Sequence, residues 1–422
     1  MKPFRKTILK NGLRVITVPQ SGLSATVLVL VEAGSKYETK AINGLSHFLE
    51  HLCFKGTVQR PTALAISSEL DKLGAEYNAF TSQEYTGYYA KVMSRHLEKA
   101  IEIVADLYSN PVFNEQEIEK EKGVIIEEIN MYEDLPPRRV AELFDELLYG
   151  DQPAGWPVGG RKEIIKKLQR ADFLKYRQEH YVAKATVVVV VGHFLEEAIF
   201  EKIRKNFANV PADRKFGKVS TKDGQRKPQA MLQHKQSDQT HLVLGCRAFS
   251  DFDERRFALE VLNDVLGGGM SSRLFQRVRE QLGAAYYVRS TDSLYSDHGY
   301  WAAAAGVDHQ KISVVIRAIL EEMKKLTTDL VGDEELQRAK DHLSGQIVLG
   351  LETSDEQASF HGVQEVIRKK VFSPEEILKR IKAVRAQEVR QVARDIFQDK
   401  NLNLAIIGPF KDKAVFLKDL HL

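Results

Sequence analysis

The stretch Leu73-Gly-Ala-Glu-Tyr-Asn-Ala-Phe-Thr-Ser-Gln-Glu-Tyr-Thr-Gly-Tyr-Tyr89 settles how the chain is organised. From Ala75 to Val92 the sequence is rich in Tyr, Thr and Phe and has no proline, which predicts two strands with a turn near Ser82-Gln83. Its first five residues return as Leu282-Gly-Ala-Ala-Tyr286, about half a chain length later. In both places an amphipathic helical stretch comes before and strand-like residues follow. A second echo pairs Asn114-Glu-Gln-Glu-Ile118 with Gly332-Asp-Glu-Glu-Leu336, each opening a charged helix. A period this long is far beyond that of a solenoid repeat and predicts a duplicated domain.

Within each half, short β-branched strands such as Leu23 to Val31 and Thr186 to Val191 mix with longer helices such as Ser94 to Tyr108. The expected fold class is α+β: two homologous domains, each a mostly antiparallel sheet packed with helices. The polar stretch punctuated by Gly and Pro after Val210 places the domains at 1–212 and 229–422, with 213–228 as linker. At 422 residues and 43% hydrophobic content, there is apolar material for two cores.

A net charge of +3 and the lack of a Lys/Arg stripe with interleaved aromatics argue against a nucleic-acid partner. Cys53 and Cys246 are too few and too far apart for a disulfide framework, which favours a reducing compartment. The N-terminus is basic without an uninterrupted apolar run, and no stretch is long enough to span a bilayer. A cytoplasmic protein with no membrane partner is expected.

The chemistry lies in Gly44-Leu-Ser-His-Phe-Leu-Glu-His-Leu-Cys-Phe-Lys-Gly56, which carries H-x-x-E-H at His47, Glu50 and His51. Residues four apart on a helix share a face, so two imidazoles can grip one zinc while Glu50 points at the remaining coordination position. The order reverses the commoner H-E-x-x-H and matches the inverzincin form. The plainer alternative is two histidines stacked on a satisfied core face.

A tetrahedral catalytic zinc needs a third protein ligand. The run from Glu117 to Met131 has apolar residues at Ile118, Val124, Ile125 and Ile129, spacing that predicts an amphipathic helix. Glu121 and Glu128 are seven apart and so two turns up one face; Glu128 is the expected third ligand and Glu121 a second carboxylate near the metal. Glu127 points about a hundred degrees away and ranks behind Glu128. Glu119 and Glu127 read as a solvated face.

With these pieces together, the chain resembles the pitrilysin-type peptidases, the inverted-zincin family of insulin-degrading enzyme and the mitochondrial processing peptidase. The resemblance runs over nearly the whole chain. It rests on His47-Phe-Leu-Glu-His51, the Leu73–Tyr89 segment and the Glu121–Glu128 helix. It implies a zinc endopeptidase with one Zn2+ per chain held by His47, His51 and Glu128, Glu50 as general base, and a functional role for Glu121. It also implies an active-site edge strand, with Asn78, Ala79 and Phe80 on the substrate side. Independently, an exposed edge strand can accept a peptide as an added strand, although an ordinary buried hairpin is equally compatible with the residues.

The echo fails where the metal motif should recur. In place of His47 to His51, the second half offers Asn263-Asp-Val-Leu-Gly-Gly-Gly-Met-Ser-Ser-Arg-Leu-Phe275, without metal ligands. The resemblance implies that this half lends Arg279 and Tyr286 to the substrate carbonyl. Gly267-Gly268-Gly269 lacks the ending of a phosphate-binding loop and reads as a flexible turn. Single-chain relatives close a chamber with four such domains, so two domains imply a homodimer, or a pairing with a related subunit, with the site completed in trans. The competing expectations are a presequence-type processing peptidase and a non-catalytic scaffold subunit of the same fold.

Overall fold

The computed structural model describes residues 4–422, and these form two compact units. The first gathers residues 4–130, Trp156–Val219 and Gly350–Val371, and the second gathers Met131–Gly155, Ser220–Leu349 and Phe372–Leu422. The chain passes between the units five times, and the passage between Val219 and Ser220 falls within the polar stretch 213–228; segments 131–155 and 350–371 lie in the unit opposite to their half of the sequence. Each unit is a sheet covered by helices, which is the expected α+β class.

The first sheet holds β1 (Arg5–Ile8), β2 (Arg14–Pro19), β3 (Ser24–Val31), β4 (Glu76–Thr81), β5 (Thr86–Met93) and β6 (Thr186–Gly192), in the order β1-β2-β6-β3-β5-β4. The second holds β7 (Gln229–His234), β8 (Thr240–Ala248), β9 (Ala285–Leu294), β10 (Gly299–Val307) and β11 (Leu402–Gly408), in the order β7-β11-β8-β10-β9. Remove β1 and the two orders coincide, down to the one parallel pair in each, β2 with β6 and β7 with β11. All other pairings are antiparallel. The duplication inferred from two short sequence echoes is therefore a duplication of topology.

The strands expected at Leu23 to Val31 and Thr186 to Val191 are β3 and β6, and the expected strand pair is β4 and β5, with its turn closed by Ser82 N–H to Tyr85 O at 2.9 Å. β6 reads Thr-Val-Val-Val-Val-Val-Gly and is buried along its whole length, because both faces of this sheet are covered. One face packs on the larger core of the unit, including Leu45, Phe48, Leu52, Ile101 and Phe173. The other carries Ile16, Leu28, Leu30, Val187 and Val189, and is covered by Ala358 and Val366 of the helix Ser354–Arg368.

That helix comes from the distant C-terminal half of the chain. Its seat is specific: Gly362 lies so close to the sheet that a Cβ there would come within 2.5 Å of Leu30 Cδ1. Arg14 donates to Glu365 O at 2.9 Å and to Glu365 Oε1 at 3.1 Å, so the buried carboxylate of the helix is neutralised by the strand beneath it. The converse holds in the second unit. There the helix Pro136–Tyr149, from the N-terminal half, lays Val140, Phe144 and Leu148 on Val243, Ala302, Ala405 and Ile407. Each unit thus completes its second face with a helix from the other half of the sequence.

The helix expected over Glu117 to Met131 runs Glu115–Asp134, with Ile118 and Ile125 buried and Val124 half-exposed. No helix among the described residues is long and apolar enough to cross a membrane. Both cysteines are buried and unpaired as thiols.

Candidate metal centre

The motif helix spans Leu45–Cys53, and its start is built by residues outside it. Gly44 takes φ +95°, which only glycine adopts without strain, and a Cβ there would meet Gly160 Cα at 2.7 Å. The buried Glu38 carboxylate accepts from Gly44 N at 2.8 Å, Ser46 N at 2.7 Å and Asn43 Nδ2 at 3.1 Å. It therefore satisfies N–H groups that the first helical turn leaves without partners, and places a carboxylate at the positive end of the helix. Burial pushes Glu38 up to about 7, against the pull of those donors.

Leu45, Phe48, Leu49 and Leu52 fill the core side of this helix, which leaves His47, Glu50 and His51 on the opposite, partly open side. The two imidazole rings have centroids 4.7 Å apart. Glu128 reaches them from the Glu115–Asp134 helix, with Oε2 3.7 Å from His47 Nε2 and 3.5 Å from His51 Nε2. One ligand atom from each lies within 4.8 Å of the others, and this is the one His/Cys/Asp/Glu group of three among the described residues that could hold a metal ion.

The donors fit zinc. Atoms bound about 2.1 Å from one tetrahedral ion lie roughly 3.4 Å apart, close to the separations found, and two imidazoles with a carboxylate form a catalytic zinc set that leaves a fourth position open. The outer shell fits as well. His51 Nδ1 is 2.9 Å from Glu121 Oε1, and Lys55 Nζ is 2.7 Å from Glu121 Oε2. A carboxylate on Nδ1 holds the proton there and leaves the Nε2 lone pair for an ion. Burial opposes charge on both partners, but the contact outweighs it: Glu121 is held below the usual carboxylate range and His51 is raised.

Glu50, between the two histidines, is raised by burial, with Thr81 and His51 pulling the other way. Thr81 Oγ1 donates to Glu50 Oε2 at 2.6 Å. Thr81 ends β4, which is an edge of its sheet, so this strand carries backbone groups that no sheet neighbour covers. On β4, Asn78 is exposed and accepts Ala79 N–H at 2.9 Å, Ala79 is buried, and Phe80 turns to the opposite face against Tyr85. Glu127 is exposed and Glu119 pairs with Lys122 at 2.7 Å, as a solvated face requires.

The structure thus brings His47, Glu50, His51, Glu121 and Glu128 together in the first unit. Arg279 and Tyr286 belong to the second. Arg279 lies over the Phe275 ring at 4.9 Å, and Tyr286 stands 75% exposed on the edge strand β9. Sequence reasoning missed three residues. Lys55 was legible in part, being four residues after His51 and just past the end of its helix. Thr81 was legible in part, because it alternates in phase with Tyr77 and Ala79. Nothing in the sequence marked Glu38.

A two-unit α+β fold with this centre defines a class, and comparison with known proteins gives the family. Residues 14–161 match the insulinase family (peptidase family M16), and residues 167–343 match the peptidase M16 inactive domain. The chain is 37% identical over 416 residues to an uncharacterized zinc protease of Streptomyces coelicolor, covering 97% of this chain and 90% of that one. It is 35% identical to the uncharacterized zinc protease YmxG of Bacillus subtilis, covering 96% and 98%. The crystal structure of a protease from Helicobacter pylori shares the fold with a TM-score of 0.91, at 23% identity and covering 96% and 99% of the two chains. The chain belongs to peptidase family M16.

Proposed function

We propose that this chain is a zinc-dependent endopeptidase that hydrolyses peptides or unfolded polypeptide segments, with its chamber completed by a second subunit. One observation carries the reading: His47, His51 and Glu128 converge from two helices, with Glu50 beside them. The names of the relatives, zinc proteases matched over 90% and 98% of their length, support it.

His47, His51 and Glu128 would hold the ion, one per chain, which when bound supplies Lewis-acid polarisation of the substrate carbonyl. Glu50 takes a proton from the attacking water and returns it to the leaving amine; a carboxylate raised by burial is suited to both transfers. Glu121 keeps His51 in the tautomer that presents Nε2. The substrate adds as a strand along β4, past Asn78, Ala79 and Phe80, so backbone rather than side chain is recognised. Arg279 and Tyr286 of a second subunit donate hydrogen bonds to the oxyanion that develops on the scissile carbonyl.

Metal analysis of unchelated protein, with a fluorogenic peptide assay before and after chelation, tests the reading. One zinc per chain and activity lost on chelation and restored by Zn2+ are expected; cleavage that persists without metal, or no cleavage with zinc bound, overturns it. For completion in trans, a His47→Ala chain mixed with a Tyr286→Phe chain should recover activity through one intact composite site. Mixed dimers without recovery exclude that arrangement.

A further inference from the structure

We propose that Thr81 is a positioning residue that ties the peptide-accepting edge strand to the general base, so that a substrate seated on β4 meets Glu50 in one fixed register. The inference rests on the peptidase reading above. Side chains on β4 alternate: Tyr77 and Ala79 face the first core, and Thr81 follows in phase toward the Leu45–Cys53 helix. Its hydroxyl has one proton and two acceptors in view, Glu50 Oε2 at 2.6 Å and Ser46 O at 3.5 Å, and distance assigns the proton to the carboxylate. Among the described residues no other hydrogen-bond donor to Glu50 is present. Without Thr81 the carboxylate would be free to spread over several rotamers.

The second unit shows what this contact is without a base. In the matching sheet order β9 stands where β4 does. The echo that aligns Tyr77 with Tyr286 aligns Thr81 with Ser290. Ser290 Oγ donates at 3.0 Å to Asn263 O, a backbone carbonyl of the helix Arg256–Gly267. That carbonyl corresponds to Ser46 O. Four residues on from Ser46 is Glu50; four on from Asn263 is Gly267, where a Cβ would come within 2.6 Å of Ser290 Oγ. A strand hydroxyl that merely ties strand to helix in one unit is thus turned onto a carboxylate in the other. It holds Oε2 and leaves Oε1 for the proton that the reaction moves. A one-residue slip of β4 would face Thr81 away, so the bond also locks the strand register to the base.

The test uses the full chain with Thr81→Val, which keeps the shape, and Thr81→Ser, which keeps the hydroxyl. Thr81→Val should lower kcat on a fluorogenic peptide roughly 10- to 100-fold, with KM and bound zinc little changed, while Thr81→Ser stays within a few-fold of wild type. A Val variant with wild-type kcat, a loss carried in KM, or a Ser variant as slow as Val would overturn the proposal. Crystal structures of the metal-free variants decide it independently of activity. Glu50 should keep its place in Thr81→Ser and leave it in Thr81→Val; an unmoved Glu50 in the latter refutes the role even if the wild-type protein cleaves nothing. Should Thr81→Val not fold, Thr81→Ala serves in the same comparison.

Discussion

The two units share a sheet order and one parallel pair, yet only the first gathers metal-type side chains on the helix that abuts its edge strand. Counting from the paired carbonyls of Ser46 and Asn263, the second unit has Asp264 in place of His47, Gly267 in place of Glu50 and Gly268 in place of His51. Asp264 is satisfied within its own unit by His342 at 2.7 Å, and Asn263 Oδ1 accepts from Trp301 Nε1 at 3.0 Å. The same scaffold therefore supports either an open donor set or a closed polar contact. A few side chains on two helices decide which, while the strand order is the same.

The largest effect that would break this comparison concerns those side chains. Glu50→Gln should lower kcat by roughly 10³-fold or more while the protein still binds zinc, and His51→Ala should lose both. His342→Gln, at the corresponding helix pair of the second unit, should leave kcat within a few-fold. An equal loss at His342 in steady-state assays would mean that this helix pair of the second unit takes part in the chemistry.

Next comes the exchange of helices. Leu148 is fully buried on the second sheet, so Leu148→Ala should cost about 3–4 kcal/mol. In hydrogen exchange, protection should be lost first in β8, β10 and β11. Gly362→Val, which forces a side chain onto Leu30, should cost about 1–3 kcal/mol and expose β3 and β6 instead. Protection lost across both sheets in either variant would argue against helices that belong to one unit each.

A smaller effect separates the units by pH. Burial, aided by Lys215, pushes His180 of the first unit down to about 4, against an ordinary value near 6.5. Above 6.5 its contribution is fully present. As pH falls from 6.5 to 4 the unfolded chain takes up a proton that the folded chain refuses, a loss of about 3 kcal/mol at most. His180→Gln should flatten the acid limb of stability measured by denaturant titration; an unchanged slope removes this group from the account. Least of all, breaking the exposed Glu201–Arg204 pair with Glu201→Ala should leave the denaturant midpoint where it is; a clear shift of that midpoint would show that the pair matters to the first unit.

Much of the site was legible because helical geometry is local. His47, Glu50 and His51 share a face by spacing alone, and Glu121 and Glu128 share another, so five residues could be named before any coordinates. The β4–β5 pair was legible from Tyr, Thr and Phe without proline, and the duplication from echoed residues. Less visible was what depends on contacts between distant segments. Glu38 caps the motif helix from a loop with no cap signature, and Val124 is half-exposed although its apolar character predicted burial. The exchange of Pro136–Tyr149 and Ser354–Arg368 left no trace in periodicity, since an apolar helix face does not name the sheet it will cover.

By itself, then, the sequence determined the element types, the two-fold repeat and the donor residues, because these follow from side-chain spacing along one helix or strand. Only the tertiary structure decided that Glu128 meets both imidazoles, that Thr81 holds Glu50 and that each sheet is roofed by a helix from the opposite half. These are pairings across long sequence separations, set by which apolar faces and buried polar groups satisfy one another, and no local pattern encodes that choice.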